Sequence, residues 1–201
     1  MKRIAVLASG RGSNFQAVID AIRKGTIPAV CERLITDNPH AYAVERAKRA
    51  DIPVSIVPFE SFRSKERFEQ ELLRVMRGVD PDLFILAGYM RILGSPIVHA
   101  FSGKIINIHP ALLPSFPGLH AQRQTIAYGA KVSGCTVHFV DEGTDTGPVI
   151  VQMCVPVREE DDEDRLAARI LRKEHRALVA AVRLYCEGKI QIQGRTVHIQ
   201  S

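Results

Sequence analysis

The sequence predicts an α/β protein built on a mostly parallel, doubly wound (Rossmann-like) sheet with an antiparallel C-terminal extension. Three observations lead there. Short apolar runs alternate with amphipathic stretches at helical spacing through the first half of the chain. The first of these runs ends in a glycine-rich turn, Ser9-Gly10-Arg11-Gly12-Ser13-Asn14. Beyond Val132 the pattern changes to two longer strand-like runs joined by a polar loop. Strands alternating with helices imply right-handed crossovers and helices on both faces, whereas a hairpin-like return is antiparallel.

Residues 4–8 are a short apolar run, a buried strand. Phe15, Val18, Ile19 and Ile22 then recur at helical spacing, with Ser13 or Asn14 as the N-cap and Gly25 near the stop. Residues 30–36 read as a second strand, 41–50 as a second helix and 54–57 as a third strand. Within 64–77, Phe68, Leu72, Leu73 and Met76 share one side of a third helix, which Gly78 ends. Residues 83–87 form a fourth, wholly apolar strand and 105–108 a fifth. Residues 132–140 and 149–157 make the antiparallel pair, and a long helix follows over 161–187. Its acidic start, Glu159 to Asp164, suits the positive end of the helix dipole, so that run is assigned no ligand. Residues 190–199 alternate with period two about Gly194, a small hairpin. No repeat, low-complexity tract or linker interrupts the chain, and residues 1–201 are expected to form one domain.

Composition agrees with an ordinary globular protein: 201 residues, 46% hydrophobic and 24% charged. No apolar run approaches the ~18–20 residues of a membrane span. The basic start Met1-Lys2-Arg3 leads into too short an apolar run for a signal peptide. Cys31, Cys135, Cys154 and Cys186 form no CxxC pair and no spacing with histidine suited to zinc, so reduced thiols and a cytoplasmic location are expected. The net charge of +5 could serve anionic substrates or nucleic acid. The basic residues are interleaved with acids, however, and there is no Trp, which argues for solvated helix faces over a nucleic-acid platform.

The glycine-rich turn lies at the carboxyl edge of such a sheet, where ligands bind. A dinucleotide fingerprint would place its third glycine at Phe15, so a terminal phosphomonoester fits better, with Ser13 and Asn14 as added donors. The plain alternative is a tight turn with a capping serine. In Asn107-Ile108-His109-Pro110, period two puts Asn107 and His109 on one face, about 6.5–7 Å apart. An amide donor beside an imidazole suits an oxyanion site plus acid, although either alone is commonly structural. The loop of residues 141–148 holds Asp141, Glu142 and Asp145, with Gly143 and Gly147 to fold the backbone back. Acidic turns are also ordinary surface loops. If Asp145 approaches His109, it should raise the imidazole pKa and favour the cation. In the last helix Leu166, Ile170, Glu174 and Leu178 lie in one i, i+4 row. An inward carboxylate there needs a partner, either a neighbouring arginine or the hydroxyls or amine of a ligand.

Several motifs in this order resemble the phosphoribosylglycinamide formyltransferase family, folate-dependent enzymes of purine synthesis. They are Ser9 to Asn14; Leu86-Ala87-Gly88-Tyr89-Met90-Arg91-Ile92-Leu93; Asn107-Ile108-His109-Pro110-Ala111-Leu112-Leu113-Pro114; Phe116-Pro117-Gly118-Leu119-His120; and Val137-His138-Phe139-Val140 through Asp145 to Gly147-Pro148-Val149-Ile150. The resemblance implies that Asn107, His109 and Asp145 are the catalytic trio. It implies a phosphate-binding turn at Gly12, Ser13 and Asn14, and a ribose contact at Glu174 with Leu171, Arg172 and Lys173 beside it. Met90, Arg91, Ile92 and Leu93, together with Asn107 and Asp141, Glu142, Gly143, Thr144 and Asp145, match the folate-binding walls. The N-terminal half then binds the ribonucleotide, and the C-terminal half supplies the folate site and catalytic loop. Near the start of the third helix the family often has an arginine for the folate tail. Here Lys65 stands at that place, a point charge without a planar fork.

The implied chemistry is direct attack of the glycinamide ribonucleotide amine on the formyl carbon of 10-formyltetrahydrofolate, the cosubstrate. Asn107 and a protonated His109 donate to the developing oxyanion, and Asp145 holds His109 cationic and helps to move a proton to the leaving nitrogen. Neither an acyl-enzyme nor a metal is expected, nor nucleic acid or membrane as partner; the protein is expected to be a monomer or homodimer. Methionyl-tRNA formyltransferase shares the trio but carries a further C-terminal domain, for which the chain is too short. Formyltetrahydrofolate deformylase shares it too, in a longer chain with an N-terminal regulatory domain. A non-catalytic mononucleotide-binding module would use the turn and leave the trio idle.

Overall fold

In the computed structural model of the chain, which describes residues 1–200, β1 (Lys2–Leu7) is fully buried from Ile4 onward. It pairs in parallel with β2 (Ala29–Thr36) and with β4 (Leu83–Leu86), and β2 pairs in parallel with β3 (Val54–Ile56). β4 is buried at every position, as expected of an uninterrupted apolar run in a parallel sheet. The strand order is β3-β2-β1-β4-β5-β6-β7, with β5 at Ile105–His109, β6 at Val132–Phe139 and β7 at Val149–Pro156. The register of β1 on β4, Ile4 with Leu83 and Leu7 with Leu86, makes the two strands end in step. The Ser9 N–H then donates to the Gly88 carbonyl at 3.0 Å, so the two loops leave the same edge side by side.

The chain divides into two compact units, residues 1–106 and 107–201, with the boundary inside β5. In the first unit α1 (Ser13–Arg23) and α2 (Tyr42–Arg49) pack on β2, and α3 (Lys65–Val79) buries Phe68, Leu72 and Met76. A short α4 (Ser95–Ala100) precedes β5. Two helix ends differ from the sequence expectation. Gly12, not Ser13 or Asn14, caps α1, because the chain enters the helix through φ +68° and no side chain closes the cap. Gly78 does not stop α3; the helix runs to Val79 and ends at Asp80 in the left-handed region (φ +39°), with the Asp80 N–H bonded to the Met76 carbonyl.

In the second unit β6 and β7 are antiparallel, Thr136 facing Gln152, and α6 (Glu163–Cys186) packs on both. Asp162 caps α6 by accepting from the Arg165 N–H at 2.8 Å. Gly134 lets β6 come close to β7: a Cβ there would sit 2.1 Å from the Met153 carbonyl oxygen. α5 (Ala121–Tyr128) precedes β6, and the C-terminal hairpin forms a separate two-stranded sheet of β8 (Ile190–Gln193) and β9 (Thr196–Ile199). No helix among the described residues is long and apolar enough to cross a membrane.

Candidate active site

In the first unit the glycine-rich turn is held by its carbonyls. The Asn38 side-chain amide donates to the Ser9 carbonyl (3.1 Å), the Ala43 N–H to Gly10 (3.1 Å) and Arg46 Nε to Arg11 (2.8 Å). With three successive carbonyls occupied, the turn meets the start of α1, whose first amides lack intrahelical acceptors, an arrangement suited to an anion. Gly12 is required twice over: its φ is positive, and a Cβ there would lie 2.8 Å from the Ala43 Cβ. Ser13 opens the helix and Asn14 is buried in its first turn. After β4, the Met90 N–H donates to Ser9 Oγ at 2.9 Å, while the Met90 and Ile92 side chains are exposed and Leu93 is buried. Arg91 is fixed in plane by Asp37 (2.8 Å from Nε) and by the Phe59 ring, 3.9 Å below its guanidinium. Lys65, the first residue of α3, pairs with Glu69 at 3.5 Å.

In the second unit one carboxylate gathers the implied trio. Asp145 Oδ2 lies 3.2 Å from His109 Nδ1 and accepts from the Gly118 N–H at 2.8 Å; its Oδ1 accepts from Asn107 Nδ2 at 3.4 Å. His109, 4% exposed, turns its Nε2 to the Phe116 carbonyl at 2.9 Å. A carbonyl only accepts, so that nitrogen carries the proton of the neutral ring. The Nδ1···Oδ2 contact then becomes a hydrogen bond only when a further proton enters the pair.

Asp145 acts upward on the His109 pKa, as the sequence leads one to expect, but the expectation that the ring would titrate above its usual value is overturned. Burial pushes the imidazole below its usual value and outweighs the Phe116 hydrogen bond and the Asp145 charge, both of which act upward; the neighbouring His138 adds to the lowering. Asp145 is itself held low: burial alone would raise it, but its contact with His138, the Gly118 hydrogen bond and the pull of the two imidazoles prevail.

His138 is the member to which the sequence assigned no role. Its Nδ1 bonds the Phe139 carbonyl (2.9 Å), so Nε2 is left to accept from Asn107 Nδ2 at 3.3 Å. The same Nε2 stands 3.6 Å from Asp145 Oδ1. Thr136, two residues earlier on the same strand face, donates to the Ala111 carbonyl (2.7 Å) and accepts from the Leu113 N–H (3.0 Å) and Gln152 (3.0 Å). It thereby fastens the segment that follows β5. The sequence signals for His138 are its place in the Val137-His138-Phe139-Val140 motif and period two along β6, which aligns it with Gly134 and Thr136.

In the loop after β6, Asp141 accepts from Thr146 Oγ1 (2.6 Å) and the Gly143 N–H (3.2 Å), while Glu142 and Thr144 are exposed. Asp145 adopts φ +56°. On α6, Glu174 is buried in the expected row with Leu166, Ile170 and Leu178; Leu171 and Lys173 are half-buried and Arg172 exposed. No group of three or more His, Cys, Asp or Glu among the described residues could hold a metal ion.

A family model described as formyl transferase matches residues 2–182. A trifunctional purine biosynthetic protein, adenosine-3, of Drosophila melanogaster is 47% identical over 189 residues, 93% of this chain. The chain spans only 14% of that protein's length. Phosphoribosylglycinamide formyltransferase of Bacillus subtilis is 43% identical over 176 residues, 88% of this chain and 90% of the relative. The crystal structure of glycinamide ribonucleotide transformylase 1 from Symbiobacterium toebii superposes with a TM-score of 0.97 at 46% identity, covering 100% of this chain and 95% of that one.

Proposed function

Because the chain belongs to the formyl transferase family, we propose that it transfers the formyl group of 10-formyltetrahydrofolate to the amine of glycinamide ribonucleotide, giving formylglycinamide ribonucleotide and tetrahydrofolate. The observation that carries this is the convergence of Asn107, His109 and Gly118 on the Asp145 carboxylate. Gly12, Ser13 and Asn14 take the phosphate and Glu174 the ribose, with Leu171, Arg172 and Lys173 beside it. Met90, Arg91, Ile92 and Leu93 bind the folate with the loop Asp141, Glu142, Gly143 and Thr144, and Lys65 meets its tail. Residues 1–201 then act as one cytoplasmic, metal-independent catalytic domain on small molecules, as a monomer or homodimer.

The amine attacks the formyl carbon, forming a C–N bond and moving the carbonyl electron pair onto oxygen. Asn107 Nδ2–H stabilises that oxyanion, as does His109 Nε2–H when it leaves the Phe116 carbonyl. The attacking nitrogen must lose a proton and the folate N10 must gain one before the second C–N bond breaks. The pair of neutral His109 and ionised Asp145, whose Nδ1···Oδ2 gap lacks a proton, suits that transfer: it can take the proton from the attacking nitrogen and return it to N10.

The test is folate product release followed spectroscopically, with and without glycinamide ribonucleotide. Release only in the presence of the amine is expected. Equal release without it would make the protein a deformylase, and saturable ribonucleotide binding with no release would make it a binding module.

A further inference from the structure

We propose that Arg195, in the turn of the β8–β9 hairpin, is a positioning residue for the catalytic loop. Its Nη2 donates to the Thr146 carbonyl at 2.8 Å, a contact across 49 sequence positions. The proposal rests on the role given above to Asp145, the residue immediately before Thr146.

The ends of the loop are fixed locally. The Phe139 N–H bonds the Pro148 carbonyl at 2.9 Å, and Gly147 passes so close to Phe139 that a Cβ would lie 1.8 Å from its carbonyl oxygen. Asp141 closes the first half onto Gly143 and Thr146 Oγ1. Asp145, however, holds φ +56° between the exposed residues Thr144 and Thr146. L residues adopt that conformation reluctantly, aspartate less so than most. Its carboxylate must stay in place to meet His109, Asn107 and Gly118 together. Arg195 restrains the carbonyl that follows, from outside the loop. β9 packs against β7, so the arginine works from a seated hairpin. The hairpin lies beyond residues 2–182, the segment that matches the family model.

The test compares Arg195→Gln and Arg195→Lys with the unaltered protein in steady-state formyl transfer, thermal unfolding and amide hydrogen exchange. Losing one charge-assisted hydrogen bond at the surface should lower kcat about three- to tenfold in Arg195→Gln. KM for both substrates and the unfolding temperature should hold. Exchange at Thr144 to Gly147 should quicken, and Arg195→Lys should recover most of the rate, since an ammonium can also reach the carbonyl. Unaltered kcat and exchange in Arg195→Gln would overturn the proposal, as would a rate loss that tracks lost stability and is not rescued by lysine. Should the unaltered protein fail to transfer formyl at all, the proposed function falls, whereas the exchange comparison still decides the restraint by Arg195.

Discussion

Asp145 places a carboxylate oxygen 3.2 Å from His109 Nδ1, yet the imidazole titrates below its usual value because the ring is buried. A carboxylate beside an imidazole pulls toward the cation; removal from water pulls away from it, and here it prevails. At neutral pH the pair therefore holds its proton on His109 Nε2, against the Phe116 carbonyl.

The first prediction follows from the signs. His109 should titrate below the ordinary 6.5 and, with the charge removed in Asp145→Asn, lower still. NMR titration of the His109 ring in both proteins measures this directly; an unchanged midpoint would exclude electrostatic coupling. The pair also sets an acid limit. Below pH 6.5 the unfolded chain binds the His109 proton before the folded one does, so stability from this group is present above 6.5 and fades as pH falls toward the folded pKa. Asp145 acts in the same sense lower down, its contribution being present above 3.8 and lost as pH falls through its depressed folded value. Unfolding curves from neutral pH down to about pH 2 should show both losses, and Asp145→Asn should remove the share of the lower one that Asp145 contributes.

Asn107→Ala should reduce kcat by ~10²–10³, the usual loss for one oxyanion donor. Urea unfolding should change little, because Asn107 is only half-buried and its two bonds are long, 3.3 and 3.4 Å. Near-normal turnover would mean that the oxyanion is held elsewhere.

Gly12→Ala should act on the ribonucleotide alone. A methyl 2.8 Å from the Ala43 Cβ forces the turn away from α2, and the positive φ adds strain. A raised KM for ribonucleotide with an unaltered KM for folate is expected; equal losses would make the turn a support of the fold and not a binding element.

Thr136→Val keeps the shape of a fully buried residue but strands the Leu113 N–H and the Ala111 carbonyl. A loss of about 1–3 kcal/mol is expected for each buried group left unpaired. Chemical denaturation reads it; a near-neutral result would mean that water enters behind β5.

The parallel core is legible because β1 from Ile4 onward and β4 are unbroken apolar runs and the long helices have clear apolar faces. α4 and α5 are not: the first has six residues, and the second buries only Ala121 and Thr125. Gly78 misled because a glycine costs a helix only about 1 kcal/mol, too little to stop one that buries Phe68, Leu72 and Met76. Within the site, Asn107 and His109 share a strand face, which periodicity exposes. Their meeting with His138 depends on strand pairing 31 positions apart, which it does not. The sign of the His109 shift failed for a related reason: a charge is written in the sequence, whereas burial arises only once the chain has packed.

The fastening of the glycine-rich turn bears on its portability. Gly10 and Arg11 hand their carbonyls to Ala43 and Arg46, and Gly12 fits only beside the small side chain of Ala43. Grafting residues 9–14 onto another α/β scaffold would therefore carry over the letters of the motif without its shape. The transferable module is the turn with α2 attached, and a designer wishing to move this anion cradle must move two segments of chain that lie some thirty residues apart.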